Sequence, residues 1–128
     1  MRFRLPFRNQ LAACTELRIP AGSGVYLGAP ATPIPEPVTR SLTQIVASRP
    51  EVEEAHVPQC WAPSAMTETA QILVVVLDQA CRDTSEAEDH IKKSVARLRL
   101  PGGRLDIWFI RPSHSMLGAI RNAGCRIK

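Results

Sequence analysis

Ile72-Leu73-Val74-Val75-Val76-Leu77 is the longest apolar run in the chain, and its reading decides the fold class. A strand that keeps one face in water alternates apolar with polar residues. This one does not, and its β-branched character predicts an interior strand covered on both faces. Upstream, Ala55, Val57, Gln59 and Trp61 fall on one face of a second strand within Val52 to Trp61, with Glu54 and His56 on the other. The two strands are expected to pair antiparallel across the Pro-, Ser- and Thr-bearing connection from Trp61 to Thr69. Downstream, Asp83 and Glu86 have capping-box spacing, and Ala87, Ile91, Val95 and Leu98 form the apolar stripe of a helix. Glu88 to Lys92 and Asp89 to Lys93 are i,i+4 pairs, acids first and bases last, as a solvated helix face with a favourable dipole requires. Pro101-Gly102-Gly103 then breaks the chain before a strand-like run from Leu105 to Ile110. A short amphipathic helix with Met116, Leu117 and Ile120 follows, capped by Gly124, and Cys125 to Lys128 has room for a last strand.

Toward the N-terminus, Pro37 suits the first turn of a helix. Val38, Leu42, Ile45 and Val46 paint its apolar stripe until Pro50 stops it. Gly24 to Gly28 reads as a short buried strand, ended by the proline-rich stretch from Ala29 to Pro37. Residues 1 to 16 form a basic arm or edge strand, with Phe3, Leu5 and Phe7 alternating against Arg2, Arg4 and Arg8 and with Pro6 barring a central position. Residues 17 to 128 make a single domain. Its element order, βαββαβ, predicts an α+β fold with an antiparallel or mixed sheet, two main helices on one face in a ferredoxin-like arrangement, and a short C-terminal helix.

Composition narrows the functional classes. A chain of 128 residues with 45% hydrophobic content can bury one core, and no apolar stretch nears the roughly 20 residues of a membrane span. Cys14, Cys60, Cys81 and Cys125 are scattered without a CxxC pair, and no signal-like apolar run opens the chain. Reduced thiols and a cytoplasmic location are the expectation. A net charge of +4 is mild for a nucleic-acid binder. The bases thicken only at the ends, in Arg2, Arg4 and Arg8 and in Arg111, Arg121, Arg126 and Lys128, which would form one positive face if the termini met.

Chemistry-bearing constellations are sparse. His56 and Cys60 are the one close pair of metal-ligand types, and zinc sites draw on two such pairs, so Cys60 reads as a small buried side chain and His56 as a surface residue. Ser113-His114-Ser115 precedes a helix, where a serine hydroxyl serves as an N-cap more readily than as a nucleophile. Gly22-Ser23-Gly24 and Gly102-Gly103 lack a phosphate-loop frame and read as turns. No catalytic residue, cofactor or metal site is expected. For protein binding, Trp61 and Met66 sit on a proline-bearing connection, as large side chains at interface hot spots do. The acidic group Glu51, Glu53 and Glu54 and the bases Arg121 and Arg126 offer further contact surfaces.

Leu17-Arg18-Ile19-Pro20-Ala21-Gly22 leading to Val25-Tyr26-Leu27-Gly28-Ala29-Pro30, then Arg49-Pro50-Glu51-Val52-Glu53-Glu54-Ala55-His56-Val57, then Ile72 to Leu77 and Leu105-Asp106-Ile107 appear in the order seen in one known family. From Leu17 onward the chain resembles the C-terminal domain of the bacterial enhanced serine sensitivity protein (SseB) family. It departs at Gly124-Cys125-Arg126, where that family has a Pro-Phe-Tyr-like patch. The resemblance implies a bacterial cytoplasmic protein without an established enzymatic role, and it transfers no functional residue. The leading expectation is a non-enzymatic protein-interaction domain, an immunity or accessory protein that neutralises or escorts a toxin or effector encoded nearby. The alternatives are a regulatory domain binding a small metabolite, suggested by the family's name, and nucleic-acid binding through the basic ends.

Overall fold

The computed structural model describes residues 26–30, 32–61, 69–100 and 105–128, together with the backbone of 2–6 and 14–18. Met66, the Gly22-Ser23-Gly24 and Gly102-Gly103 turns, and the side chains of Arg2, Arg4 and Arg8 lie outside the described residues.

The apolar run forms the body of strand β6 (Ala70–Leu77), and every residue from Ile72 to Val76 is fully buried. Strand β7 (Asp106–Ile110) runs parallel to it on one side, from Ile72 opposite Asp106 to Val76 opposite Ile110. On the other side lie β4 (Val52–His56) and β5 (Gln59–Trp61), both antiparallel to β6 and separated by Val57-Pro58. The expected strand from Val52 to Trp61 is therefore present in two pieces, divided where Pro58 has no N–H to give to a ladder. Beyond β5 lies the edge strand β3 (Tyr26–Gly28). Beyond β4 lies the C-terminal segment, with the Val57 N–H donating to the Cys125 carbonyl at 2.9 Å and the Ile127 N–H to that of Ala55 at 2.8 Å.

Helices α1 (Glu36–Ala47) and α2 (Ser85–Ala96) both pack on one face of this sheet. Leu42 and Val46 of α1 and Ile91 and Val95 of α2 meet Leu73, Val75 and Leu77 there. The opposite face carries Ile72, Val74, Val76, Trp108 and Ile110 and is closed by the short helix α3 (Leu117–Asn122) through Leu117 and Ile120. Coverage on both sides explains why β6 shows no apolar–polar alternation. Gly124 follows α3 at φ +71°, the left-handed conformation expected of a C-terminal glycine.

The fold is α+β, with a mixed sheet, two main helices on one face and a short C-terminal helix. The ferredoxin-like expectation requires correction. In that arrangement each helix joins two strands separated by a third, whereas β6 and β7 are direct parallel neighbours and β3 sits at the far edge beside β5. Four smaller readings also change. The box at α2 is displaced: Thr84 is the N-cap residue, Asp83 Oδ1 accepts the Ser85 N–H at 3.0 Å, and Thr84 donates its hydroxyl to Glu88 at 2.9 Å. Before α3, His114 rather than Ser113 or Ser115 accepts a backbone hydrogen bond, from Met116 to Nδ1 at 3.1 Å. Strand β3 is not a buried strand: its first residue, Tyr26, is 62% exposed because β3 lies at the sheet edge. At the N-terminus, β1 (Arg2–Pro6) pairs antiparallel with β2 (Cys14–Arg18), a strand the sequence pattern does not announce.

Candidate functional site

A bulge in β4 determines where its charged residues point. Val52 pairs with Leu77 and Glu54 with Val76, so Glu53 is an extra residue, exposed at the bulge. Val52 and Ala55 both turn toward α1 and α2, and Glu54 and His56 turn under α3 instead. Glu54 retains 6% of its exposure and His56 1%, so neither belongs to the solvated surface suggested by sequence.

Burial of Glu54 is offset by charge from the C-terminal region. Arg121 of α3 clamps the carboxylate with two hydrogen bonds, Nε to Oε1 at 3.1 Å and Nη2 to Oε2. Arg126 Nη1 lies 3.8 Å from Oε1. His56 Nε2 is 3.0 Å from the same oxygen. Arg121 is the main reason the Glu54 carboxyl is held down at about 2 against the opposing effect of burial. For His56 the balance reverses: burial lowers its pKa and outweighs the attraction of Glu54. The imidazole is therefore neutral near pH 7, and because an ionised carboxylate only accepts, the proton resides on Nε2. Nδ1 has no hydrogen-bond partner among the described residues.

The other C-terminal bases are also engaged. Lys128 Nζ donates to the carbonyls of Val52 at 2.7 Å, Arg49 at 3.3 Å and Val46 at 3.4 Å, placing a cation at the C-terminal end of α1, where the helix dipole favours it. Arg111 Nη1 donates to the carbonyls of Asp78 at 2.5 Å and Cys81 at 2.6 Å. The basic C-terminal stretch thus fastens the chain internally, while the side chains of Arg121 and Arg126 remain 52% and 57% exposed. Among the described residues no three His, Cys, Asp or Glu side chains are placed to hold a metal ion.

Cys60 is buried, and burial, with a smaller push from Asp106, raises its thiol to about 12. Thiolate is the reactive form, so Cys60 in the folded chain is expected to react with iodoacetamide at least ~100-fold more slowly than Cys81 at pH 8. Peptide mapping by mass spectrometry reads this directly, and comparable rates would contradict the packing around Cys60.

The sites expected for protein binding separate in space. Glu54, Arg121 and Arg126 come together but satisfy one another. Trp61 does not stand on a free loop: it ends β5, is partly buried and lies directly opposite Tyr26 of β3. Two aromatic residues facing each other across an antiparallel pair share one surface of the sheet. Tyr26 is the one exposed large hydrophobic side chain among the described residues. Sequence reasoning missed it because a Val-Tyr-Leu triplet between glycines looks like core until the pairing places it at an edge. Comparison with protein-family models, with curated proteins and with solved structures returns no match.

Proposed function

We propose that this chain is a non-enzymatic, cytoplasmic protein-interaction domain of SseB-like type whose docking surface centres on Tyr26 and Trp61. The observation that carries the reading is the exposed Tyr26 ring set opposite Trp61 on the outermost strand of the sheet. An aromatic side chain anchored on a strand offers a large contact area with few rotatable bonds to immobilise. Glu53, projecting from the bulge of β4, adds an exposed charge to the sheet. The partner is proposed to be a protein encoded nearby, such as a toxin or effector that this domain neutralises or escorts.

Nucleic-acid binding receives less support, because Arg111, Arg121, Arg126 and Lys128 spend hydrogen bonds within the chain. Calorimetric titration of the purified chain with the products of the adjoining reading frames tests the proposal. Tyr26→Ala should weaken the complex by about 30-fold, the size of a ~2 kcal/mol hot spot, and leave the melting temperature unchanged because the ring is exposed. Unaltered affinity in Tyr26→Ala, or no binding by the intact chain, would remove the reading.

A further inference from the structure

The carboxyl ends of β6 and β7 form a different kind of site from the Tyr26 edge, at the opposite end of β6. The two strands are adjacent and parallel, yet their connections diverge: β6 leads into α2 on one face of the sheet and β7 into α3 on the other. Parallel strands whose connections part in this way open a crevice beyond their carboxyl ends, where α/β proteins place small ligands. A cavity of about 410 Å³ lies there, within the ~300–1,000 Å³ usual for small-molecule sites.

Its walls differ in polarity. The wall following β7 contributes Arg111, Ser113 and His114. The guanidinium of Arg111 is anchored through Nη1 by two carbonyls, and its other N–H groups make no hydrogen bond to a described residue. His114 accepts the Met116 N–H at Nδ1, which leaves Nε2 as the donor side of the ring. The facing wall is the first turn of α2, with Thr84 and Glu88. Thr84 donates to Oε2 of Glu88, which orients the carboxylate and leaves Oε1 available. Phe109, Leu77 and Ile110 supply apolar lining between them.

Glu88 and Arg111 line one cavity, but Glu88 is held by Thr84 and Arg111 by the carbonyls of Asp78 and Cys81 rather than by each other. A simple anion would meet the Glu88 carboxylate, and a simple cation would meet Arg111. We propose that this crevice binds a small zwitterion, with its carboxylate against Arg111, Ser113 and His114 and its ammonium against Glu88. Charge complementarity at both ends makes the pair of groups on one molecule the preferred occupant. The α2 N-terminus does not act as an anion site, because Asp83 already takes the Ser85 N–H and Glu86 and Glu88 stand in the first turn.

The test is a ¹H–¹⁵N NMR titration of the whole chain with glycine, L-alanine, L-leucine and 4-aminobutyrate, with sodium acetate and methylammonium chloride as single-charge probes. At least one zwitterion should give saturable shifts at the amides of residues 84–88 and 111–114, binding about tenfold or more tightly than either single-charge probe. Glu88→Gln keeps an acceptor for Thr84 and should weaken the zwitterion by about tenfold while binding acetate no more weakly, since the repulsion from Glu88 is gone. Ser113→Ala, an exposed substitution, should weaken the zwitterion and acetate alike. Absence of saturable shifts with every zwitterion, equal binding of acetate and zwitterion, or unchanged affinity in Glu88→Gln would each overturn the assignment. Because the Tyr26 edge and this crevice occupy opposite ends of β6, either can fail without the other.

Discussion

Arg121→Ala is expected to lower stability at pH 7, because it strips a buried carboxylate of its principal partner. A buried charge left without its partner is uncompensated. Arg121 itself is about half exposed, at 52%, so water replaces part of what it supplies, while the Glu54 side chain it serves is only 8% exposed. The pH dependence gives the sharper signature. Glu54 falls from 4.5 to about 2 on folding, so its contribution is fully present above pH 4.5 and disappears as pH drops toward 2. His56 is also lowered on folding, from 6.5, and its contribution is present above 6.5 and declines below it. The wild-type chain should therefore lose stability in two acid steps, the lower of them belonging to Glu54. In Arg121→Ala the lower step should shrink, because the main cause of the Glu54 shift is gone. Urea denaturation followed by circular dichroism at pH 7, 5 and 3 measures this. Parallel pH curves for the two proteins would show that Arg121 does not hold the carboxylate ionised.

Leu73→Ala should cost about 3–5 kcal/mol, a large fraction of the roughly 5–15 kcal/mol that a domain has to spare. Leu73 is fully buried on the face of β6 that receives both α1 and α2. Its loss opens a cavity between two helices and a central strand, and β6, paired on both sides, cannot shift to fill it. Ile107→Ala provides a contrast, because Ile107 is only partly buried against the same core; its cost should be about half as large. Equal losses at the two sites would mean that β6 is not the organising strand.

The helix stripes and the interior strand were legible because they depend on local periodicity. Leu42 and Val46, Ile91 and Val95, and the unbroken run from Ile72 to Val76 declare burial through spacing alone, whatever packs against them. The alternation of Ala55 and Val57 against Glu54 and His56 was also correct as a division of faces. Its interpretation was not, since α3 and the C-terminal segment cover the second face. Nothing near Glu54 in sequence signals that a guanidinium 67 residues later will neutralise it.

The candidate sites were harder to read for the same reason. Tyr26 became a surface residue only through the pairing of β3 with the outer side of β5, and the crevice between Glu88 and Arg111 exists only because adjacent parallel strands send their connections to opposite faces. The sequence by itself determined the three helices, the segments that hold β4 to β7 and the apolar stripes of the two main helices, because those properties follow from neighbours a few residues apart. The tertiary structure alone decided the order of the strands, the burial of Glu54 and His56, the use of the C-terminal bases as internal fasteners and the positions of both candidate surfaces. These depend on contacts between residues far apart in the chain, which only the packed sheet brings within hydrogen-bonding distance.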